Sequence, residues 1–265
     1  MRNTRLSICL LVAVMFMSAS HGFGNTYFDD GGIHNLNYTI NDRVWVDYSA
    51  PTMQTTVNLL KGGFCWELDG YNNSKINMFG GSLYNNLVSY DNSQATMSGG
   101  VVQQMYAARG NSKATMSGGT VTDLYAYDSG QITMSQGSVK HFFVVKNNGR
   151  AMLSGGSILE LVTCDSGQLT ISGGAWTWLE VENNSYVTIK GSNFAINGTP
   201  VNFGEITSLG VYPNDSFRRL TGILANGDII DNQFRISGTA KLLLVPEPAT
   251  LLLLGLGGVI LRKKR

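Results

Sequence analysis

Charge is scarce in this chain: only 14% of its residues are Asp, Glu, Lys or Arg. Histidine occurs three times, at 21, 34 and 141, too scattered to suggest a metal centre. Among its three cysteines there is no Cys-x-x-Cys pair, so the sequence offers no zinc or dithiol site. It contains no phosphate loop, no Gly-x-Ser-x-Gly elbow and no His-Glu-x-x-His. Neither a metal nor a cofactor is therefore expected. An apolar run long enough to span a bilayer comfortably, about 20 residues, is missing too. What the chain has in quantity is glycine, 32 residues of it, together with Ser, Asn and Thr. Such a composition could mean disorder, but apolar residues recur at regular places, which argues for a packed core.

The two ends differ from the body. Arg2 and Arg5 precede an apolar run over residues 6–17, followed by Ser18-Ala19-Ser20, the layout of a secretory signal peptide over 1–20. At the other end Val245-Pro246-Glu247-Pro248 leads into an apolar segment, 249–261, closed by Arg262, Lys263, Lys264 and Arg265. Thirteen residues give a helix of about 20 Å, short for a span, and the four cations would hold it on the cytoplasmic side. Both end segments are expected to be helical. Six of the 19 basic residues lie in residues 1–20 and 262–265, and all 18 acidic ones lie in the stretch from Asp29 to Glu247. The body thus holds 13 basic against 18 acidic groups, a net of −5. Without a basic run, nucleic acid and anionic lipid are not expected partners. Membrane contact is expected only through the tail before processing.

Glycine pairs divide the body into repeats. Gly62, Gly80, Gly99, Gly118, Gln136, Gly155, Gly173 and Gly191 mark eight copies, spaced 18, 19, 19, 18, 19, 18 and 18 residues apart. Within a copy the apolar period is two: Ala95 and Met97 alternate with Thr96 and Ser98. That pattern reads as strand, turn, strand, turn, with Gly-Gly at one turn and Asp128-Ser129-Gly130 or its counterparts at the other. Stacked copies place like positions about 4.8 Å apart in parallel sheets. One inward ladder is then Leu60, Met78, Met97, Met116, Met134, Leu153, Ile171 and Ile189. The fold class expected is all-β: a single-chain parallel β-helix, or β-solenoid, of about eight coils over 56–198. A helical repeat is disfavoured because Gly-Gly every 18 residues would break each helix.

Caps are expected at both ends of the solenoid, where open strand edges invite aggregation. Over 21–55, Tyr38-Thr39-Ile40 and Val44-Trp45-Val46 flank Asn41-Asp42, a hairpin signal. Over 199–244, residues 220–224 and 229–234 flank Ala225-Asn226-Gly227-Asp228, and Asn-Gly is the strongest short hairpin signal. Cys65 and Cys164 fall five rungs apart, roughly 24 Å, beyond the ~7 Å a disulfide tolerates. Two free, buried thiols follow as the expectation.

Three outward columns bear on function. Counting five positions past each glycine mark gives Glu67, Asn85, Gln104, Asp123, His141, Glu160 and Trp178. Asp123, His141 and Glu160 are the candidate catalytic residues, with carboxylates on alternate rungs about 9.6 Å apart, at the wide end of the range for inverting glycoside hydrolysis. The competing interpretation is a solvated column of mixed charge, favoured because coils varying by one residue leave no loops to wall a cleft. A second column, Thr96, Thr115, Thr133, Thr170 and Thr188, resembles the threonine arrays of ice-binding solenoids but is broken at Asn77 and Met152. Aromatics form the third group: Tyr84, Tyr90, Tyr106, Tyr125, Tyr127, Trp176 and Trp178, which could stack on sugar rings or cover the sheet, with Trp176 in the core.

The C-terminal 21 residues, 245–265, closely resemble the PEP-CTERM sorting signal of exported bacterial proteins, with its three parts in order. That resemblance implies an exosortase-type protease as partner, recognising Pro246, Glu247 and Pro248 and removing the tail. The tail is also catalogued as an ice-binding protein C-terminal domain, a label that describes the tail alone. Residues 56–244 resemble repeat-containing PEP-CTERM proteins, which share the Met-Ser-Gly-Gly coils and the hairpin Leu220-Thr221-Gly222-Ile223-Leu224-Ala225-Asn226-Gly227-Asp228. The resemblance supplies a destination, the cell surface, outer envelope or extracellular matrix, reached through a transient inner-membrane anchor. The expected role is non-catalytic: an adhesin or matrix component that meets exopolysaccharide or other surface proteins. A carbohydrate-active β-helix enzyme and an ice-binding protein are the alternatives.

Overall fold

A computed structural model describes residues 24–207 and 217–247. Among these residues there is no helix, and none long and apolar enough to cross a membrane. The expected helical signal peptide and helical tail lie outside the described residues. The body is a parallel β-solenoid of about nine turns. Its longest strands, Lys113–Ala126, Gln131–Val145, Arg150–Thr163 and Gln168–Val181, each cover most of one coil and pair in parallel with the next.

The turns are those the residue types dictate. Asp91, Asp128, Asn147, Asp165 and Asn183 adopt positive φ, which Asn and Asp tolerate better than other side chains. Each turn closes with a backbone bond three residues on, as when Gly149 N donates to Lys146 O at 2.9 Å and Gly167 N to Cys164 O at 2.9 Å. At the other turn the second glycine of the pair takes positive φ, +83° at Gly119 and +99° at Gly174.

The inward ladder forms as Leu36, Leu59, Met78, Met97, Met116, Met134, Leu153, Ile171, Ile189 and Leu244, each paired with the next and each buried. Burying a side chain of this size contributes roughly 1.5–3 kcal/mol. One member differs from expectation. Leu59, not Leu60, pairs with Met78, because that coil has one more residue between its ladder position and its glycine pair.

A second correction explains the mixture of 18- and 19-residue copies. Four residues past each glycine mark the register slips, and the longer copies place two residues there where the shorter ones place one. Tyr84-Asn85, Gln103-Gln104 and Lys140-His141 are the doubled corners; Trp66, Thr122, Leu159 and Thr177 are the single ones. The same slip occurs at Asn41-Asp42. What reads as a hairpin signal is therefore a coil corner: Thr39–Val46 is one strand, parallel to Asn25–Phe28 and to Phe64–Gly70.

At the far end, Arg218–Leu224 and Ile229–Ile236 form the expected antiparallel hairpin, with Ile223 opposite Ile229. It joins the stack on both sides, its first strand antiparallel to Tyr186–Ile196 and its second parallel to Gln168–Val181. Lys241–Pro246 then stacks on Tyr186–Gly191, and Gly204–Thr207 covers its outer edge. Cys65 is a free thiol in the core, pushed up to about 12 by burial first and Asp69 second. Cys164 is also buried but is not free. Its sulfur is disulfide-bonded, and not to Cys65, so the expectation of two thiols holds for one.

Candidate functional site

The slip at the corner decides which side chains share the candidate column. Leu68 aligns with Leu87, and Leu124 with Phe143. Counting back one residue, the rungs present Arg43, Glu67, Asn86, Met105, Asp123, Phe142, Glu160 and Trp178. Asn85, Gln104 and His141 belong to the bulged corner instead. The triad read from the sequence is thus not a set of successive neighbours. His141 lies beside Asp123 across the corner, Nδ1 to Oδ1 3.7 Å, and is half exposed. Asp123 Oδ1 already accepts the Phe142 N–H at 3.0 Å. Burial raises the Asp123 carboxyl, while that N–H and His141 pull it down.

Glu160 pairs with Phe142, so a phenyl ring occupies the rung between the two carboxylates. Inverting hydrolysis needs a water between its acid and base; here the intervening place is apolar. The two carboxylates therefore stand on either side of an apolar rung.

The same corner creates a feature the periodicity did not reveal. The outward column Asp69, Val88, Ala107, Tyr125, Val144, Val162 and Glu180 is buried. Tyr90, Met105, Tyr127 and Phe142 pack with it as a second apolar cluster outside the main core. Tyr71 stacks on Tyr90 at 4.8 Å and Tyr125 on Tyr127 at 5.2 Å, with Arg109 over Tyr127 at 5.2 Å. Those ring faces are spent on one another. Tyr106 is not outward at all: it fills the main core and donates its hydroxyl to Ala95 O at 2.8 Å. Trp176 is buried, as expected, whereas Tyr84 is exposed and Tyr90 and Trp178 are half-buried.

Charge marks both ends of this buried column. Asp69 is buried with one carboxylate oxygen lacking a hydrogen-bond partner, and burial pushes its carboxyl well above the usual range, with Glu67 adding to the effect. Six rungs on, at Glu180, Arg235 bridges Glu180 at 2.9 Å and Glu182 at 3.2 Å.

The threonine column begins as a run of asparagines. Asn58 donates to Asn35 at 2.8 Å, Asn77 to Asn58 at 2.8 Å, and Thr96 to Asn77 at 2.9 Å, forming a side-chain ladder along the rod. Thr115, Thr133, Met152, Thr170 and Thr188 continue the column. Met152, 57% exposed, interrupts its hydroxyls. Among the described residues no group of three or more His, Cys, Asp or Glu side chains could hold a metal ion.

The sorting residues begin inside the fold. Leu242 and Leu244 point into the core, and Pro246 aligns with Gly191 as the last residue of its strand. Glu247 Oε1 lies 3.5 Å from Ser192 Oγ. Pro248, Arg262, Lys263, Lys264 and Arg265 lie outside the described residues. No curated protein and no solved structure matches this chain. Residues 244–265 match the PEP-CTERM protein-sorting motif, so the β-solenoid body carries, beginning at its last core leucine, a signal that implies export, surface sorting and processing by an exosortase.

Proposed function

We propose that the chain is a non-catalytic β-solenoid, displayed at the cell surface or in the extracellular matrix, that acts by adhesion. Its long polar faces would meet polysaccharide or other surface proteins. One observation carries this reading. The outward side chains are organised along the rod axis, as in the Asn35, Asn58, Asn77 and Thr96 ladder, rather than converging on a point. A surface that repeats every rung suits an extended partner that repeats as well. The sorting motif supports a surface destination. The test is incubation of the exported chain with a panel of soluble polysaccharides, followed by co-sedimentation and sizing of the polymers. Retention without shortening is expected; depolymerisation would overturn the reading.

One observation favours a second reading. Asp123, raised by burial and 3.7 Å from His141, could hold and release a proton. If the chain is a polysaccharide lyase or hydrolase, turnover must disappear in Asp123→Ala and Glu160→Ala. Ice binding has less in its favour, because Met152 breaks the threonine column; thermal hysteresis abolished by Thr115→Lys would establish it.

A further inference from the structure

The body is acidic overall, yet eight successive rungs of one face hold cations and no carboxylate. Beside the threonine column runs an outward column of Thr56, Lys75, Gln94, Lys113, Gln131, Arg150, Gln168 and Tyr186, paired rung to rung. Lys75, Lys113 and Arg150 stand on every second rung with a glutamine between, all exposed. Two rungs separate successive cations by about 9.6 Å. From Thr56 to Tyr186 neither this column nor the threonine column beside it contains a carboxylate; one first appears beyond them, where Glu205 stands opposite Leu243 and pairs with Lys241, and none of the three cations is in an ion pair with a described residue. Carboxylates sit instead at the adjoining corner, on the intervening rungs: Asp91, Asp128 and Asp165 each precede a glutamine of the column by three residues. Positive charge and negative corner therefore alternate with the same two-rung period.

We infer that this face binds an extended anionic polysaccharide with one negative charge for every two sugar units, lying along the rod axis. This rests on the adhesive reading and names its partner. One rung is close to the advance of one sugar ring in an extended chain, so two rungs match a disaccharide. A polymer charged on every unit would set half its carboxylates beside Asp91, Asp128 and Asp165, where like charges repel. Duplex nucleic acid carries a charge per ~1.7 Å of axis, far denser than the cations here. The face also has a seat for a ring. Gln131, Thr133, Arg150, Met152, Gln168 and Thr170 line a depression of about 210 Å³. That is below the size of whole-ligand pockets and suited to one unit of a longer chain. Exposed Met152 offers an apolar, adaptable surface to the C–H face of a sugar, with hydroxyl and amide groups on either side.

The test measures retention of the full chain on immobilised hyaluronan, whose carboxylates fall on alternate sugars, against polygalacturonate, dextran and duplex DNA. Hyaluronan should bind best, and binding should weaken as salt screens the exposed charges. The triple variant Lys75→Gln, Lys113→Gln, Arg150→Gln should weaken it roughly tenfold, since three exposed ion pairs are lost together. Gln131→Glu, a single exposed change between two of the cations, should weaken it as well and guards against a triple variant that misfolds. Equal binding of polygalacturonate or dextran, preference for DNA, or indifference to both variants overturns the inference. Dextran binding that survives the triple variant would leave the adhesive reading standing, whereas shortening of any probe would bring that reading down instead.

Discussion

Met97 lies across the rung boundary from Gly119, with its terminal methyl 2.5 Å from where a Cβ on that glycine would stand. The relationship recurs between Met78 and Gly100, Met116 and Gly137, and Met134 and Gly156. It accounts for the Met-Ser-Gly-Gly signature: the methionine of one coil covers the bare backbone of the next. Where Leu153 takes the methionine's place, a Cβ on Gly174 would meet nothing closer than 3.2 Å.

Gly119→Ala should therefore cost about 2–5 kcal/mol, combining positive-φ strain with a packing clash. Gly174→Ala should cost only about 1–2 kcal/mol, the strain alone. Urea midpoints of the two variants test the difference. In a Met97→Leu background the penalty at Gly119 should shrink toward that at Gly174; equal penalties in both backgrounds would separate the methionine from the glycine.

Asp69 makes stability depend on pH. Its folded carboxyl titrates well above the ordinary 3.8. From 3.8 up to that higher value the unfolded chain is ionised there while the folded one still holds the proton, so stability falls as pH rises. Asp69→Asn should flatten this fall. Denaturation midpoints at pH 4 and pH 7 should lie closer together in the variant than in the parent, and an unchanged gap would exclude Asp69 as the cause.

Arg235 ties the terminal hairpin to the solenoid through Glu180 and Glu182, whose side chains are only 6% and 8% exposed. Arg235→Met should destabilise by about 2–4 kcal/mol, because removing one partner leaves buried carboxylates under-compensated. Hydrogen exchange should rise first over Ile229–Ile236, the strand that bears the arginine. Uniform loss of protection along the rod would contradict this.

Pro246→Ala with Pro248→Ala should leave the C-terminal segment attached. Mass spectrometry of the exported chain should then recover peptides ending at Arg265, absent from the parent. If the parent also ends at Arg265, the segment is a plain anchor and not a processed signal.

Much of this architecture could be read from the residues. Alternating Ala95, Thr96, Met97 and Ser98 disclosed both the strand and its buried side, and Asn226-Gly227 disclosed the hairpin. Less visible was the place where a longer coil stores its extra residue. Counting from the glycines is reliable up to the corner and wrong by one beyond it, which moved His141 off the rung of Asp123 and Glu160. The corner leaves no apolar signature, since Gln103-Gln104 and Lys140-His141 face water. A slip before the glycines likewise put Leu60 where Leu59 belongs. Periodicity also treats every outward position as wet, and so missed Val88, Ala107, Val144 and Val162, which a second apolar cluster buries outside the main core. The cation column was hidden for another reason: net charge averages over faces that the fold keeps apart.

The alternation of charged and amide rungs bears on how such a rod could lengthen over evolutionary time. Asp91, Asp128 and Asp165 are 37 residues apart, and Lys113 and Arg150 are also 37 apart. Duplicating one coil would preserve the core but set two like rungs side by side, breaking the beat of the surface. Duplicating a pair would preserve both. The unit of inheritance for the surface is then twice the unit of the fold, and rods of different length should differ by even numbers of coils.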